Sequence, residues 1–165
     1  MKTAIIFYSR SGNTKYAAEL LKSKLKEKNH DADIIEIEAV KRLGFFGAGR
    51  AGMKEIEVPI KNTEVDLKNY TTIILGAPVW GGKPSPVLKT FINSAKNIKG
   101  KKAALFITGG GKAESHEKVQ EVMRTWMQPM EVQVCDAFCD LQMSKGKIKS
   151  GEELIDSYIQ SVLSL

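Results

Sequence analysis

Apolar runs alternate along the chain with stretches in which apolar residues recur every three or four positions. The runs cover 3–8 (TAIIFY), 32–38 (ADIIEIE), 71–78 (TTIILGAP), 101–109 (KKAALFITG) and 131–138 (EVQVCDAF). Most of them are uninterrupted and rich in β-branched residues, which is typical of strands buried on both faces. The sequence therefore predicts five strands.

The stretches between these runs have the periodicity of helices with one apolar face. After the first run, Ala17, Leu21 and Leu25 are four residues apart and predict a helix over 13–28. Similar patterns predict three further helices, at 85–95, 114–127 and 152–165. Strands that alternate with helices in this way predict an α/β fold, a three-layer sandwich with helices on both faces of a five-stranded parallel sheet. We expect residues 1–165 to form a single domain.

Composition narrows the classes of protein to which the chain can belong. An apolar content of 42% with mixed charge argues against disorder. The net charge is +6, but the lysines fall on helix faces and turns without interleaved aromatic residues. This pattern favours a solvated basic surface over nucleic-acid binding, and a docking surface for an acidic protein partner is the alternative. The sequence gives no indication of the oligomeric state.

Two further observations concern location and metal binding. No apolar run approaches the ~18 residues of a membrane span, and the first run is too short for a signal peptide, so we expect a cytoplasmic protein. Cys135 and Cys139 are the only cysteines, and four residues apart on a strand they face the same side. Packing is the role expected for them, since no second pair of metal ligands accompanies them.

The turn after the first strand, YSRSGNT, concentrates polar groups at the start of a helix. Free backbone N–H groups and the helix dipole favour an anion there. Ser9, Ser11 and Thr14 add hydroxyl donors, and Gly12 permits a close approach or a positive φ. A simple cap by Ser11 or Asn13 needs only one such residue, so the sequence favours a phosphate-binding turn.

The turns after the third and fourth strands are also unusual. In GAPVWGGKPSP (76–86), Trp80 precedes two glycines and is either a plug that folds back or a flat stacking surface. In TGGGKAES (108–115), three consecutive glycines suit a backbone that approaches a ligand closely, or a flexible turn. The carboxyl ends of parallel strands share one edge of a sheet, where ligands bind. The three turns together predict a site for an aromatic mononucleotide.

These three motifs, in this order, resemble the flavodoxin family over the whole chain, in particular its short-chain members. The resemblance implies a strand order of 2-1-3-4-5 and FMN as cofactor. It also implies that the phosphate binds to the first turn. The second turn then lines one side of the isoalloxazine, and the third turn lines the other side. The corresponding residues are Ser9, Arg10, Ser11, Gly12, Asn13 and Thr14; Pro78, Val79, Trp80, Gly81 and Gly82; and Thr108, Gly109, Gly110 and Gly111.

The chain differs from familiar flavodoxins in two respects. It is basic rather than acidic, and the third turn lacks an aromatic residue, which leaves one flavin face open. The resemblance implies a carrier that shuttles electrons between redox partner proteins. The alternative is an FMN-dependent NAD(P)H:quinone-type oxidoreductase with a small acceptor at the open face. We expect Arg10, Lys83 and Lys112 to lie beside the site and stabilise reduced flavin, and no side chain is assigned a catalytic role.

Other motifs carry less weight. GAGRAG (47–52) matches G-x-G-x-x-G, but it lies well past the second strand and is interpreted as part of a mobile or partly helical connection. His116 is expected to cap a helix or face solvent rather than act in catalysis. Response-regulator receivers share the strand order, but they need carboxylates after strands one and three, where this chain has FYSR and GAPV. That class is excluded.

Overall fold

The computed structural model describes residues 2–111 and 116–165. Within them, a seven-stranded sheet lies between two layers of helices. The strands are β1 (Thr3–Tyr8), β2 (Ala32–Ile37), β3 (Thr72–Trp80), β4 (Lys83–Pro84), β5 (Lys102–Gly109), β6 (Gln133–Ser144) and β7 (Lys147–Ser150). The helices are α1 (Asn13–Glu27), α2 (Phe45–Lys54), α3 (Pro86–Ser94), α4 (Glu117–Met127) and α5 (Ile155–Leu163).

The sheet confirms the α/β class and corrects the number of strands. Its main path is β2-β1-β3-β5-β6-β7, and the strands from β2 to β6 are parallel. The five parallel strands have the order that the resemblance implies. The two additional strands are antiparallel: β4 pairs with β3, and β7 pairs with β6 at the edge.

The additional strands were missed because β4 is only two residues long and β7 follows a tight turn of unusual sequence. β6 continues six residues beyond the predicted end of its strand and turns back through Lys145 and Gly146, which have φ values of 50° and 75°. Turns of two residues with positive φ match the twist of a hairpin, but asparagine or aspartate, not lysine, is their usual first residue. The lysine-rich segment therefore gave no hairpin signal.

Each face of the sheet has its own core. Residues of α1 and α5 pack on one face, where Cys135 and Cys139 are also buried. Residues of α2, α3 and α4 pack on the other face, together with Trp80 and Trp126. In the described part of the chain, no helix combines the length and the apolar character needed to cross a membrane. The polar carboxyl edge of the parallel strands lies between these two layers.

The helix α2 lies in the segment for which a mobile or partly helical connection was predicted, and it confirms the partly helical alternative. Its glycines give it low intrinsic helix propensity, so packing must hold it. A Cβ on Gly52 would lie 2.2 Å from the Trp80 carbonyl oxygen, so the helix backbone rests directly on the end of β3. This contact joins distant parts of the chain, and periodicity within the segment could not reveal it.

Gly76 offers a test of packing within the sheet. A Cβ at this position in β3 would lie 2.0 Å from the ring of Phe106, which is fully buried. We expect Gly76→Ala to lower the free energy of unfolding by about 1–3 kcal/mol through overpacking. Urea denaturation measures the change. Gly49→Ala is the control, because a Cβ on this helical glycine meets open space, and stability should stay constant or rise by up to about 1 kcal/mol.

The two thiols are expected to be inert in the folded protein. Burial raises the pKa of Cys139 to about 12, and Cys135 is only 8% exposed. At pH 8 the thiolate fraction of Cys139 is then roughly one in 10⁴. We expect Ellman's reagent to label both cysteines at once in urea and neither of them promptly in buffer. Rapid stoichiometric labelling of the native protein would contradict the packing role.

Candidate functional site

The turn between β1 and α1 has an open backbone at the helix N-terminus. Gly12 is the N-cap residue, with a left-handed φ of 91°, and its N–H donates to Ser9 Oγ at 3.1 Å. A Cβ on Gly12 would meet nothing within 4 Å, so the backbone of this residue is open on that side. Ser11 is exposed, and Asn13 is half-buried.

This geometry bears on the choice between a phosphate site and a simple helix cap. Neither Ser11 nor Asn13 makes a capping hydrogen bond, and no other side chain in the described residues caps α1. The amides of the first helical turn are therefore directed towards open space, and the helix dipole adds partial positive charge. The turn can accept an anion without losing an existing cap.

Thr14 is positioned differently from the other polar residues of this turn. It is 1% exposed, and its hydroxyl lies 2.8 Å from the hydroxyl of Thr108, which is 2% exposed. This hydrogen bond ties the start of α1 to the end of β5 and thus holds the first turn beside the third. Only the backbone amide of Thr14 can contribute to an anion site in this arrangement.

Trp80 is a buried plug in the structure, not an open stacking surface. Its side chain is 6% exposed and meets the ring of Tyr8 edge to face, with centroids 5.6 Å apart and planes at 88°. The helix α2 covers the end of β3 through Gly52. The indole ring that was expected to stack on the flavin is therefore buried within the protein, against Tyr8.

The residues around Trp80 remain more accessible. Pro78 and Val79 are half-buried, and Gly81 and Gly82 are exposed. The two glycines have φ values of 59° and 78° and form a two-residue turn that pairs β4 with β3. A Cβ on Gly81 would lie 2.5 Å from Met53 of α2, whereas one on Gly82 would meet open space. Gly82 is thus the glycine of this turn that can approach a ligand.

The third turn lies against the second. A Cβ on Gly109 would lie 3.3 Å from Val79 Cβ, and Gly110 and Gly111 are exposed. The remainder of the predicted motif, from Lys112 to Ser115, lies outside the described residues. The hydrogen bond between Thr14 and Thr108 joins the first turn to the third, and the edge contact between Tyr8 and Trp80 joins the ends of β1 and β3. All three turns therefore meet at one edge of the sheet.

His116 behaves differently from its sequence-based interpretation. Its ring is 3% exposed and makes no capping bond, and Nδ1 lies 3.0 Å from both carboxylate oxygens of Asp140 on β6. A Cβ on Gly109 would lie 2.6 Å from the imidazole Cε1, so the ring supports the backbone of the third turn. The sequence missed this pair because β6 was predicted to end before Asp140.

The cations expected beside the site are partly compensated. Lys83 Nζ lies 2.7 Å from Glu55 Oε1, and Lys89 lies 3.7 Å from the other oxygen of the same carboxylate. The hydrogen bond from Lys83 lowers the pKa of Glu55 and outweighs the opposite effect of partial burial. This carboxylate is therefore charged near neutral pH. The Arg10 guanidinium lies over the ring of Phe45, 5.8 Å from its centroid. Lys112 falls outside the described residues.

The polar groups at this edge fit the phosphate end of FMN closely and the ring end partly. A phosphate fits the open N-terminus of α1, where the first amides have no side-chain cap and Ser9 and the exposed Ser11 lie in the same turn. For the ring, the exposed glycines of the second and third turns provide backbone N–H and C=O groups at close approach. Aromatic stacking by Trp80 is not available in this conformation.

Comparison with known proteins identifies related sequences and folds. The family model described as NADPH-dependent FMN reductase matches residues 1–139, which contain all three turns. No curated protein sequence matches the chain.

Several solved structures share the fold. A putative flavoprotein from Bacteroides uniformis has a TM-score of 0.74 and 19% identity, with 96% of this chain and 97% of that chain covered. A flavoprotein in complex with FMN from Lactobacillus acidophilus has a TM-score of 0.69 and 24% identity, with 95% and 97% covered. Oxidised flavodoxin 2 from Bacillus cereus has a TM-score of 0.68 and 20% identity, with 99% of both chains covered. At these identities the likeness shows the fold alone.

Proposed function

The chain belongs to the NADPH-dependent FMN reductase family, and on that premise we propose that it is an FMN-dependent oxidoreductase that takes electrons from NADPH and passes them to a small acceptor. The observation that carries this proposal is the match of the family over the three turns that meet at the sheet edge. It favours the oxidoreductase, which was the alternative at the level of sequence, over a carrier between redox partner proteins.

FMN would supply the redox chemistry, since its ring accepts a hydride and returns electrons singly or in pairs. The protein's part is to hold and orient this group. The amides at the start of α1, together with Ser9 and Ser11, would bind the phosphate. Val79 and Gly82 would face one side of the ring, and the backbone of Gly109 to Gly111 would face the other side.

The support beneath these groups fixes their positions. The pair of His116 and Asp140 lies under Gly109, and the Thr14–Thr108 hydrogen bond fixes the distance between the phosphate turn and the end of β5. Exposed glycines leave room above the third turn, where no described aromatic side chain covers the backbone. A flavin ring bound at this place would be accessible first to a nicotinamide and then to an acceptor.

Two measurements test the proposal. The purified protein should be yellow, and heating should release FMN rather than FAD. Anaerobic addition of NADPH should then bleach the flavin absorbance at a rate that rises with NADPH concentration, and a quinone should restore the colour.

A carrier would behave differently in the same titration. Its flavin would take up electrons from dithionite in two separate one-electron steps and would react with NADPH only slowly. That result would contradict the oxidoreductase and favour exchange with protein partners. A colourless protein that fails to bind added FMN would contradict both functions.

A further inference from the structure

Three large apolar side chains of α2 are exposed. Phe45, Phe46 and Met53 are 74%, 89% and 60% exposed. Phe46, Arg50 and Met53 are spaced at i, i+4 and i+7, on the side opposite the small residues that pack on β3. We call the surface formed by Phe45, Phe46, Arg50 and Met53 the α2 face. Two adjacent phenylalanines with this exposure mark an interaction surface.

Arg50 lies within the α2 face and Lys54 ends the helix, and two further basic residues precede the helix in sequence. Lys41, Arg42, Arg50 and Lys54 lie within fourteen residues that contain no carboxylate. None of these four cations forms an ion pair with another residue that the structure describes. The nearest acidic residue in sequence, Glu55, is already paired with lysines 83 and 89. The occupant of this surface must therefore combine negative charge with an apolar interior.

We propose that the α2 face binds the surface of an anionic lipid bilayer. Phe45, Phe46 and Met53 enter the boundary between headgroups and acyl chains, while Arg50 and Lys54 lie at the level of the lipid phosphates. This activity is additional to the oxidoreductase function and does not depend on it.

Charge and shape favour a bilayer over other occupants. A second copy of the chain in a two-fold interface would place the same cations against one another, which is unfavourable. An acidic protein would need a pocket for Phe46, which projects from the helix with 89% of its surface exposed. A bilayer accepts projecting aromatic side chains without a preformed pocket and supplies the negative charge in its headgroups.

The position of α2 gives this binding a consequence for the site. Gly52 rests on the carbonyl of Trp80, and Met53 lies against Gly81. The α2 face therefore adjoins the second of the three turns. A protein bound to a bilayer through this face holds the carboxyl edge of its sheet close to the membrane surface, within reach of a lipid-soluble acceptor.

Co-sedimentation with vesicles tests the proposal directly. We expect the protein to bind vesicles of phosphatidylcholine with one third phosphatidylglycerol, and to remain in solution with phosphatidylcholine alone. The double variant Phe45→Ser/Phe46→Ser should reduce binding at least about tenfold, because it removes inserted apolar area. The variant Arg50→Gln/Lys54→Gln should reduce it about 30-fold at low salt, and added salt should weaken binding of the native protein.

A matched variant controls for net charge. Lys26→Gln/Lys28→Gln removes the same charge at the far end of α1, on the opposite edge of the sheet, and should bind as the native protein does. All substituted residues are exposed or carry exposed groups, and circular dichroism checks that each variant is folded. Equal losses in this variant and in Arg50→Gln/Lys54→Gln would overturn the proposal, because binding would then follow net charge alone.

A fluorescence measurement locates the contact. Trp80 and Trp126 are 6% and 7% exposed, so vesicles should leave their emission unchanged. Phe46→Trp should add emission that shifts to the blue when anionic vesicles are present. Absence of vesicle binding would overturn the proposal, as would a dimer in gel filtration that Phe45→Ser/Phe46→Ser converts to a monomer. Neither result depends on flavin content or NADPH oxidation, so failure here is distinct from failure of the proposed enzyme function.

Discussion

Replacing Ser11 by glutamate is expected to weaken FMN binding by about 100-fold and to leave the affinity for riboflavin nearly unchanged. The introduced carboxylate would lie beside the open N-terminus of α1, where the phosphate is expected. Repulsion between two anions a few ångströms apart in a partly exposed turn costs about 2–3 kcal/mol, which is about 100-fold in affinity. Riboflavin has no phosphate, so it does not experience this repulsion.

The measurement is the quenching of flavin fluorescence when flavin is added to the apoprotein. Ser23→Glu is the control, since it introduces the same charge on an exposed position of the same helix, more than two turns away. It should bind FMN as the native protein does. An acidic group near a helix N-terminus does not destabilise the helix, so a loss of folding is not expected to confuse the result. Equal weakening of both flavins by Ser11→Glu would show that the phosphate lies elsewhere.

His116→Ala is expected to lower the free energy of unfolding by about 2–4 kcal/mol, the cost of leaving a mostly buried carboxylate without its partner. The imidazole is 3% exposed and the Asp140 side chain 15%, and Nδ1 lies 3.0 Å from both carboxylate oxygens. Asp140→Asn keeps an acceptor for Nδ1–H and should cost less. The midpoint of urea denaturation at constant slope measures each change.

A double-mutant cycle separates the hydrogen bond between His116 and Asp140 from the packing beneath the third turn. Gly109→Ala alone should destabilise the protein, because its Cβ would lie 2.6 Å from the imidazole of His116. The same substitution should cost less in the His116→Ala background, where the ring is absent and the next nearest atom is Val79 Cβ at 3.3 Å. Strictly additive effects would show that the ring does not support Gly109.

Local patterns were sufficient for the parts of the fold whose signal lies within one segment. The strand β1 and the helix α1 follow from an apolar run and from the spacing of Ala17, Leu21 and Leu25, and the structure places both within two residues of the prediction. The same argument from parallel strands placed the three turns at one edge of the sheet. Such features are predictable because burial on one or both faces leaves a period in the sequence.

Local patterns failed where a distant contact determines conformation. The helix α2 has low intrinsic propensity and is held by the packing of Gly52 on Trp80. Nothing near Trp80 in sequence indicates that its indole is buried against Tyr8, which makes it a plug rather than a stacking surface. The same holds for His116, whose environment depends on Asp140, a residue of another strand.

The sequence by itself determined the α/β class, the order in which strands and helices follow one another, and a polar turn with Gly12 at the start of α1. These depend on the periods of burial and on the backbone freedom of glycine, which are properties of short segments. Only the tertiary structure decided that α1 is uncapped, that Trp80 is buried, that Asp140 holds His116 beneath Gly109, and that α2 presents two phenylalanines to solvent. Each of these depends on which segments meet in space, and contacts between segments far apart in the chain leave no period in either of them.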